Sequence, residues 1–149
     1  MTSQSLNMNS PIKITVSALI QAPIANVWSC WNEPQHIVHW NHASDDWHCP
    51  FSINDLSVGG KFVATMAAKD DSVRFDFEGF YDVIELHKRI IYHMADGRVV
   101  EITFEAKDGG TWVSETFDAE NENPVELQQA GWQAILNNFK KYAEEHELA

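Results

Sequence analysis

Four histidines and one cysteine lie within fourteen positions and form the densest group of side chains that could bind a metal ion. They are His36, His39, His42, His48 and Cys49. A zinc site needs three or four converging ligands, usually in spacings such as Cys-x-x-Cys or His-Glu-x-x-His. Neither spacing is present. We therefore interpret the histidines as the rim of a loop, and we expect no metal and no cofactor.

Glu115 is the strongest candidate for acid–base chemistry or ligand binding. In the strand that ends at Phe117, Glu115 shares one face with the apolar residues Val113 and Phe117. A carboxylate that points into an apolar interior is desolvated, which favours its protonated form. Glu115 is thus a candidate general acid or base, or an anchor for a ligand hydroxyl or amine. The alternative is a structural role, in which Glu115 pairs with Arg98, Lys107 or a buried polar neighbour.

Tyr92 is the second candidate for chemistry. It shares a strand face with Ile90 and Met94, so its hydroxyl is predicted to enter the same interior. The alternative is a tyrosine whose ring belongs to the core and whose hydroxyl reaches water. No Ser-His-Asp or Cys-His order stands out, and Cys30 is interpreted as a small buried residue of the first helix.

The N-terminal part of the chain predicts a strand followed by two short helices. Residues 1–10 are polar without periodicity and are interpreted as a flexible lead-in to one domain over 11–149. Apolar residues alternate from 12 to 20, as in a half-buried strand. A helix follows, whose apolar face comprises Ile24, Val27, Trp28 and Trp31. Pro34 ends this helix and begins a second one to Trp40, before a loop over 41–50.

The middle of the chain predicts six short strands joined by tight turns. Turn signals such as Gly59-Gly60 and Asp96-Gly97 separate them, so consecutive strands are predicted to pair antiparallel. Gly79 interrupts an alternating pattern and predicts a bulge that shifts the inward face to Phe80 and Val83. The predicted strands are 51–56, 61–68, 73–86, 89–94, 98–107 and 111–117.

A long helix is predicted to end the chain. Asn123 is expected to cap it, with Pro124 in the first helical position and Glu126 reaching back to the cap. Gly131 inside this helix costs about 1 kcal/mol relative to alanine. We expect compensation through a close approach of the sheet or a gap beside the neighbouring indole. The apolar face of the helix comprises Trp132, Ile135, Leu136, Phe139 and Ala143.

Composition excludes several classes of partner. The chain has 149 residues, which favours one domain, and its 10 Lys and Arg against 22 Asp and Glu give a net charge of -12. This charge has the wrong sign for nucleic acid or an anionic membrane surface. With two cysteines, no signal-like segment and no membrane-spanning apolar stretch, the sequence predicts a reduced, soluble, cytoplasmic protein.

Taken in order, several motifs resemble the SRPBCC superfamily, which includes the START domains, the birch-pollen-allergen fold and the polyketide cyclases. Within it, the chain is most similar to the branch named after the activator of the heat-shock-protein-90 ATPase. The motifs are Ala22-Pro23-x-x-x-Val27-Trp28-x-x-Trp31, Trp40, Gly79-x-Tyr81-Asp82-Val83-Ile84, Arg89-Ile90-Ile91-Tyr92, Asp96-Gly97-Arg98 and Gly131-Trp132-x-x-Ile135-Leu136.

The resemblance implies an α+β helix-grip fold, in which a curved antiparallel sheet of six to seven strands surrounds the long C-terminal helix. It also implies an apolar cavity between sheet and helix, and we expect roughly 300 to 1,000 Å³. The predicted ligand-pocket residues are Trp31, Trp40, Phe62, Met66, Phe75, Phe77, Tyr92, Phe104, Glu115, Trp132 and Leu136.

Three functions follow as alternatives. The first is binding of an apolar or aromatic small molecule, and the second is a cyclase-like or hydrolase-like reaction that uses Glu115 and Tyr92. The third is a stress-related or co-chaperone-like interaction module. The co-chaperone of the family adds a separate N-terminal client-contact domain, which a ten-residue lead-in cannot supply. We therefore expect a small-molecule partner rather than a chaperone partner, and a homodimer stays open.

Overall fold

The computed structural model describes residues 12–146, and the lead-in predicted for residues 1–10 lies outside them. The strands are β1 (Lys13–Ile20), β2 (Trp47–Asn54), β3 (Lys61–Ala68), β4 (Arg74–Glu85), β5 (Arg89–His93), β6 (Val99–Lys107) and β7 (Gly110–Asp118). The helices are α1 (Ile24–Asn32), α2 (Pro34–Trp40) and α3 (Val125–Glu145). This order confirms the predicted strand, two short helices, run of strands and long closing helix.

All seven strands form one antiparallel sheet in the order β1-β7-β6-β5-β4-β3-β2. Tight turns join β2 to β7 into a meander, and β1 closes the sheet by pairing with β7. The long helix α3 covers the concave face, as the α+β helix-grip class predicts. Within residues 12–146 no helix is long and apolar enough to cross a membrane.

The helix α3 is fastened along the free edge of β1. Outward-facing side chains of α3 donate hydrogen bonds to backbone carbonyl oxygens of the strand: Gln133 Nε2 to Ser17 at 3.2 Å and Lys140 Nζ to Leu19 at 2.6 Å. These bonds satisfy acceptors that an edge strand would otherwise expose. One side of the helix is therefore held close to the sheet, and its other side reaches over β3 to β5.

An aromatic cluster, formed by Trp31, Trp40 and Phe139, holds the C-terminal half of α3. The ring centroids lie 5.1 Å apart between Trp31 and Trp40, and Phe139 lies 4.9 Å from each indole. The Trp40 indole also donates to the Cys30 carbonyl at 2.9 Å, which locks α2 onto α1. Cys30 is fully buried, as predicted, and burial raises the pKa of its thiol to about 11. This end of the interior is solid.

The bulge assigned to Gly79 is in a different place. Gly79 pairs regularly with Phe62, and the shift in register lies between Tyr81 and Val83. The inward face therefore continues from Gly79 to Tyr81, which is buried, instead of changing to Phe80. Gly79 serves a packing purpose, because a Cβ there would lie within 2.7 Å of both the Phe62 and Tyr92 rings.

Two other local predictions were wrong. The strand β2 begins at Trp47, so the predicted loop over 41–50 is shorter, and Pro50 lies at an irregularity of this edge strand, where proline is tolerated. At the start of α3 the capping residue is Pro124, with no side-chain cap. The Asn123 side chain instead donates to Glu120 Oε2 at 2.9 Å, and Gln128 Nε2 donates to the Asn123 carbonyl at 2.8 Å.

Gly131 confirms the second of the two expected compensations. A Cβ at this position meets nothing within 4 Å, so the sheet does not approach the helix there and a gap lies beside Trp132. The two glycines Gly79 and Gly131 thus have opposite surroundings, one crowded by rings and the other open.

We predict opposite effects of alanine at these glycines. Gly79→Ala should lower the free energy of unfolding by about 1–3 kcal/mol, because its methyl group displaces two packed rings. Gly131→Ala should raise it by about 1 kcal/mol through helix propensity alone. Urea denaturation followed by circular dichroism measures both. Equal effects of the two variants would contradict the packing described.

Candidate ligand-binding site

An internal cavity of about 470 Å³ lies between the concave face of the sheet and α3. Its volume falls in the range expected from the sequence and is typical of sites for small organic molecules. Strands β2 to β7 form its floor, and the helices α1, α2 and α3 close its sides and roof. The gap beside Gly131 is part of this space.

Nine of the eleven predicted pocket residues line the cavity. They are Trp31, Trp40, Phe62, Met66, Phe75, Phe77, Tyr92, Glu115 and Trp132. Their contact with a ligand stays a prediction, but their convergence on one space follows directly from strand parity and from the helix faces.

Phe104 and Leu136 are not in the cavity wall, which corrects the prediction for both. Phe104 is buried behind the aromatic cluster, with its ring 5.1 Å from Trp28 and 6.0 Å from Trp31. Leu136 is fully buried in the core. Both face the interior, and Trp31 lies between Phe104 and the cavity.

Glu115 is set in an apolar part of the floor. It lies on β7 opposite Val16 of β1 and Ile102 of β6, and all three side chains are buried, with Glu115 only 6% exposed. Burial alone raises the pKa of the Glu115 carboxyl to about 8. At neutral pH the carboxyl is therefore mostly protonated and can both donate and accept a hydrogen bond.

The structural alternative for Glu115 is a pairing with Arg98, Lys107 or a buried polar neighbour. Arg98 lines the cavity, but its Nε donates to Asp96 Oδ2 at 2.8 Å. Lys107 lies over the Trp112 ring, 5.1 Å from the centroid, on the far side of the sheet from Glu115. Within residues 12–146 neither cation forms an ion pair with Glu115.

Tyr92 reaches the same cavity from β5. It is 7% exposed, its ring packs edge-on against Phe62 at 4.7 Å, and it lines the cavity with Glu115. Burial raises the pKa of the Tyr92 hydroxyl well above its usual value, nearby Glu115 raises it further, and Arg98 opposes the rise. The hydroxyl therefore keeps its proton and is a hydrogen-bond donor in the cavity.

A polar network at the other side of the cavity was not anticipated. The Tyr81 hydroxyl donates to Asn54 Oδ1 at 2.7 Å, and Asn54 Nδ2 donates to the Asn32 carbonyl at 2.7 Å. All three residues line the cavity and connect β4, β2 and the end of α1. Because these groups bond to one another, they are less available to a ligand than Glu115 and Tyr92.

Two features of the sequence explain why this network was not predicted. With a bulge predicted at Gly79, Tyr81 was expected to face away from the interior. On β2 the apolar residues Phe51 and Ile53 are 51% and 49% exposed, whereas Ser52 and Asn54 face the cavity. Hydrophobicity alone therefore misassigns the faces of this edge strand. Its pairing with β3, which places Asn54 opposite Phe62, identifies the inward face.

Only His42 lies in the loop between α2 and β2, so the four histidines do not together form the rim of a loop. His36 and His39 lie on α2 and contact α3: His36 Nδ1 is 2.6 Å from the Tyr142 hydroxyl, and the His39 ring stacks on Tyr142 at 5.6 Å. His48 and Cys49 lie on β2. Among residues 12–146 no group of three or more His, Cys, Asp or Glu side chains is arranged to hold a metal ion.

Comparison with known proteins agrees with this geometry. The model of the family described as "Activator of Hsp90 ATPase homolog 1-like protein" matches residues 21–144. The chain belongs to this family. Its SRPBCC-type fold confirms the resemblance inferred from the motifs. No curated protein is a significant match.

Two solved structures are close relatives of this family member. The solution structure of the AHSA1-like protein from Aeromonas hydrophila is 48% identical, with 93% of this chain and 99% of that chain covered and a TM-score of 0.83. A solution structure from Cytophaga hutchinsonii is 51% identical, with coverages of 92% and 97% and a TM-score of 0.78. A crystal structure from Nitrosomonas europaea, at 16% identity and a TM-score of 0.77 over 90% of this chain and 95% of that chain, shares the fold.

We predict that Glu115→Gln stabilises the protein in a pH-dependent way. The unfolded carboxyl ionises above about pH 4.3, while the folded one keeps its proton until its pKa of about 8. The contribution of Glu115 to wild-type stability should therefore be most favourable below the unfolded pKa and fall as the pH rises to 8. Glutamine removes this loss, so the variant should gain roughly 3 kcal/mol over wild type at pH 7 and little at pH 4.

Urea denaturation at pH 4, 5.5, 7 and 8 checks this expectation, with Glu105→Gln on an exposed position of β6 as a charge-matched control. A loss of stability in Glu115→Gln at pH 7 would instead show that a partner holds the ionised carboxylate.

Proposed function

We propose that this protein binds a small apolar or aromatic molecule carrying one or two polar groups, in the cavity beneath α3. The observation that supports this most directly is the pairing of a mostly apolar cavity with two inward polar groups, Glu115 and Tyr92. Sites for small molecules have this composition: apolar walls provide affinity, and a few polar groups determine orientation.

The energetics of Glu115 favour an occupied cavity. A buried polar group without a hydrogen bond costs about 1–3 kcal/mol, and a ligand that bonds to it recovers part of this cost. Aromatic walls formed by Phe62, Phe77 and Trp132 suit a planar ligand. The exposed side chains Phe75 and Leu127 mark the mouth through which it enters.

The name of the family refers to activation of the Hsp90 ATPase. That activity requires contact between the outer surface of a co-chaperone and its partner. In this chain, by contrast, the two candidate functional side chains, Glu115 and Tyr92, line the cavity. We therefore favour ligand binding over chaperone activation.

We predict that planar aromatic compounds, such as flavonoids or naphthalene derivatives, change the tryptophan fluorescence in a saturable manner, because three cavity residues are indoles: Trp31, Trp40 and Trp132. Gly131→Leu should abolish the response by filling the gap beside Trp132, since nothing else lies within 4 Å of the new Cβ. Gly131→Ala, which adds one methyl group, is the matched control and should bind within about threefold of wild type.

Native mass spectrometry of freshly purified protein complements the titration by showing whether a small molecule copurifies. The absence of any saturable signal across a broad panel would exclude the proposed binding. Unchanged binding by Gly131→Leu would place the ligand outside this cavity.

Acid–base catalysis on a bound ligand is a second candidate, favoured by the same carboxyl. A group with a pKa of about 8 exchanges its proton readily near neutral pH. Such a site should accelerate deuterium incorporation into an enolisable aryl ketone in D₂O by roughly 100-fold or more over buffer, the usual scale of general acid–base catalysis. NMR measures the exchange, and Glu115→Gln should abolish the acceleration. If the bound ketone exchanges only at the buffer rate, acid–base catalysis is excluded and ligand binding remains as the proposed function.

A further inference from the structure

Aromatic rings, among them Phe77, Tyr92 and Trp132, line the same cavity as Glu115. Phe117, two residues further along the same face of β7, stacks on Trp132 with centroids 3.8 Å apart and planes at 12°. Trp132 in turn meets the edge of Phe77 at 6.0 Å, and Phe77 meets Tyr92 at 6.3 Å. The faces of such rings attract ammonium groups. A carboxyl group with aromatic neighbours therefore suits an organic cation.

The charges near the cavity do not oppose a cation. The acidic Glu120 lines it together with Glu115, and the one cation among the lining residues, Arg98, is hydrogen-bonded to Asp96. The chain as a whole has a net charge of -12, so its field attracts positively charged ligands and repels anions. α3 contributes only uncharged residues to the lining: Leu127, Gln128, Gly131, Trp132 and Ile135.

We propose that the preferred ligand class is an apolar primary amine, whose ammonium group binds the Glu115 carboxylate while its hydrocarbon part occupies the aromatic cavity. This inference rests on the proposed function and adds the chemical class of the ligand. An ammonium donates charge-assisted hydrogen bonds to a carboxylate, and these are about twice as strong as bonds between neutral groups.

Binding of this kind must release a proton. In the free protein Glu115 carries a proton at neutral pH, because burial raises its pKa to about 8. The amine arrives as an ammonium ion and stays one, so the carboxyl O–H bond breaks and its proton passes to the buffer. Complete ionisation of Glu115 at pH 7 releases about one proton for each amine bound.

No other group in the cavity releases a proton in this range. The other titratable or charged residues of the lining are Tyr81, Tyr92, Arg98 and Glu120. The pKa values of both tyrosines are raised by burial, and hydrogen bonds to the Asn123 backbone and its neighbours lower that of Glu120. Across the sheet, β1 and β6 present Val16 and Ile102 to Glu115.

The test compares three probes of the same shape: 1-naphthylmethylamine, 1-naphthylmethanol and 1-naphthoate. Isothermal titration calorimetry at pH 7, in phosphate and in Tris, gives each affinity and the number of protons exchanged. We expect the amine to bind at least about tenfold more tightly than the alcohol, with the naphthoate weakest. About one proton should be released with the amine and none with the alcohol.

Variants assign the effect to one residue. Glu115→Gln should weaken amine binding by about tenfold or more and abolish proton release, so that the preference for the amine over the alcohol is lost. Glu105→Gln removes one surface charge from an exposed position of β6 and should change neither result. If Glu115→Gln folds poorly, the number of protons that the wild-type protein releases on binding the amine still tests the proposal.

The outcomes separate the two proposals. If the alcohol binds as tightly as the amine, or if amine binding releases no proton, the preference for amines is wrong and the cavity still binds small molecules. If none of the three probes binds and the wider aromatic panel is also silent, the proposed function itself is overturned.

Discussion

One helix has to cover the apolar face of a seven-stranded sheet, and the position at which that helix is fastened governs the rest of the interior. Hydrogen bonds from Gln133 and Lys140 hold α3 along the edge of β1, and the aromatic cluster packs its C-terminal half against α1 and α2. In the N-terminal half, Trp132 stacks on Phe117, but a Cβ at Gly131 would meet nothing within 4 Å. A solid core at one end and a cavity at the other follow from this arrangement.

The same arrangement explains why the fold tolerates Glu115. The carboxyl faces a cavity, so no packed side chain has to move to make room for it. The remaining cost in stability is the desolvation of its ionised form. A core as large as the one built on Ile20, Val27, Phe117 and Phe139 provides enough apolar burial to offset that cost. Residues that lower stability without a structural benefit are concentrated at functional sites, which makes Glu115 informative about function.

Local patterns in the sequence predicted the elements and the inward direction of Glu115 and Tyr92, because alternation along a strand determines which face a side chain occupies. Five of the six middle strands end within one residue of their predicted bounds. The predictions that failed concern contacts between elements that are distant in the sequence. Whether Gly79 marks a bulge or a close contact depends on rings from β3 and β5, and whether Leu136 lines a cavity depends on where α3 is fastened.

Fold and ligand chemistry therefore depend on different parts of this sequence. Quite different sequences satisfy the alternating patterns that build the sheet, since the structure from Nitrosomonas europaea has the same fold at 16% identity. The charge and polarity of the cavity depend on single inward positions such as 115 and 92, which the strands would accept as apolar residues equally well. A change at one of them alters the polarity of the cavity wall while the backbone stays the same. Function within this family must for that reason be assigned from the cavity residues of each member, and in this chain those residues include one buried acid among aromatic rings.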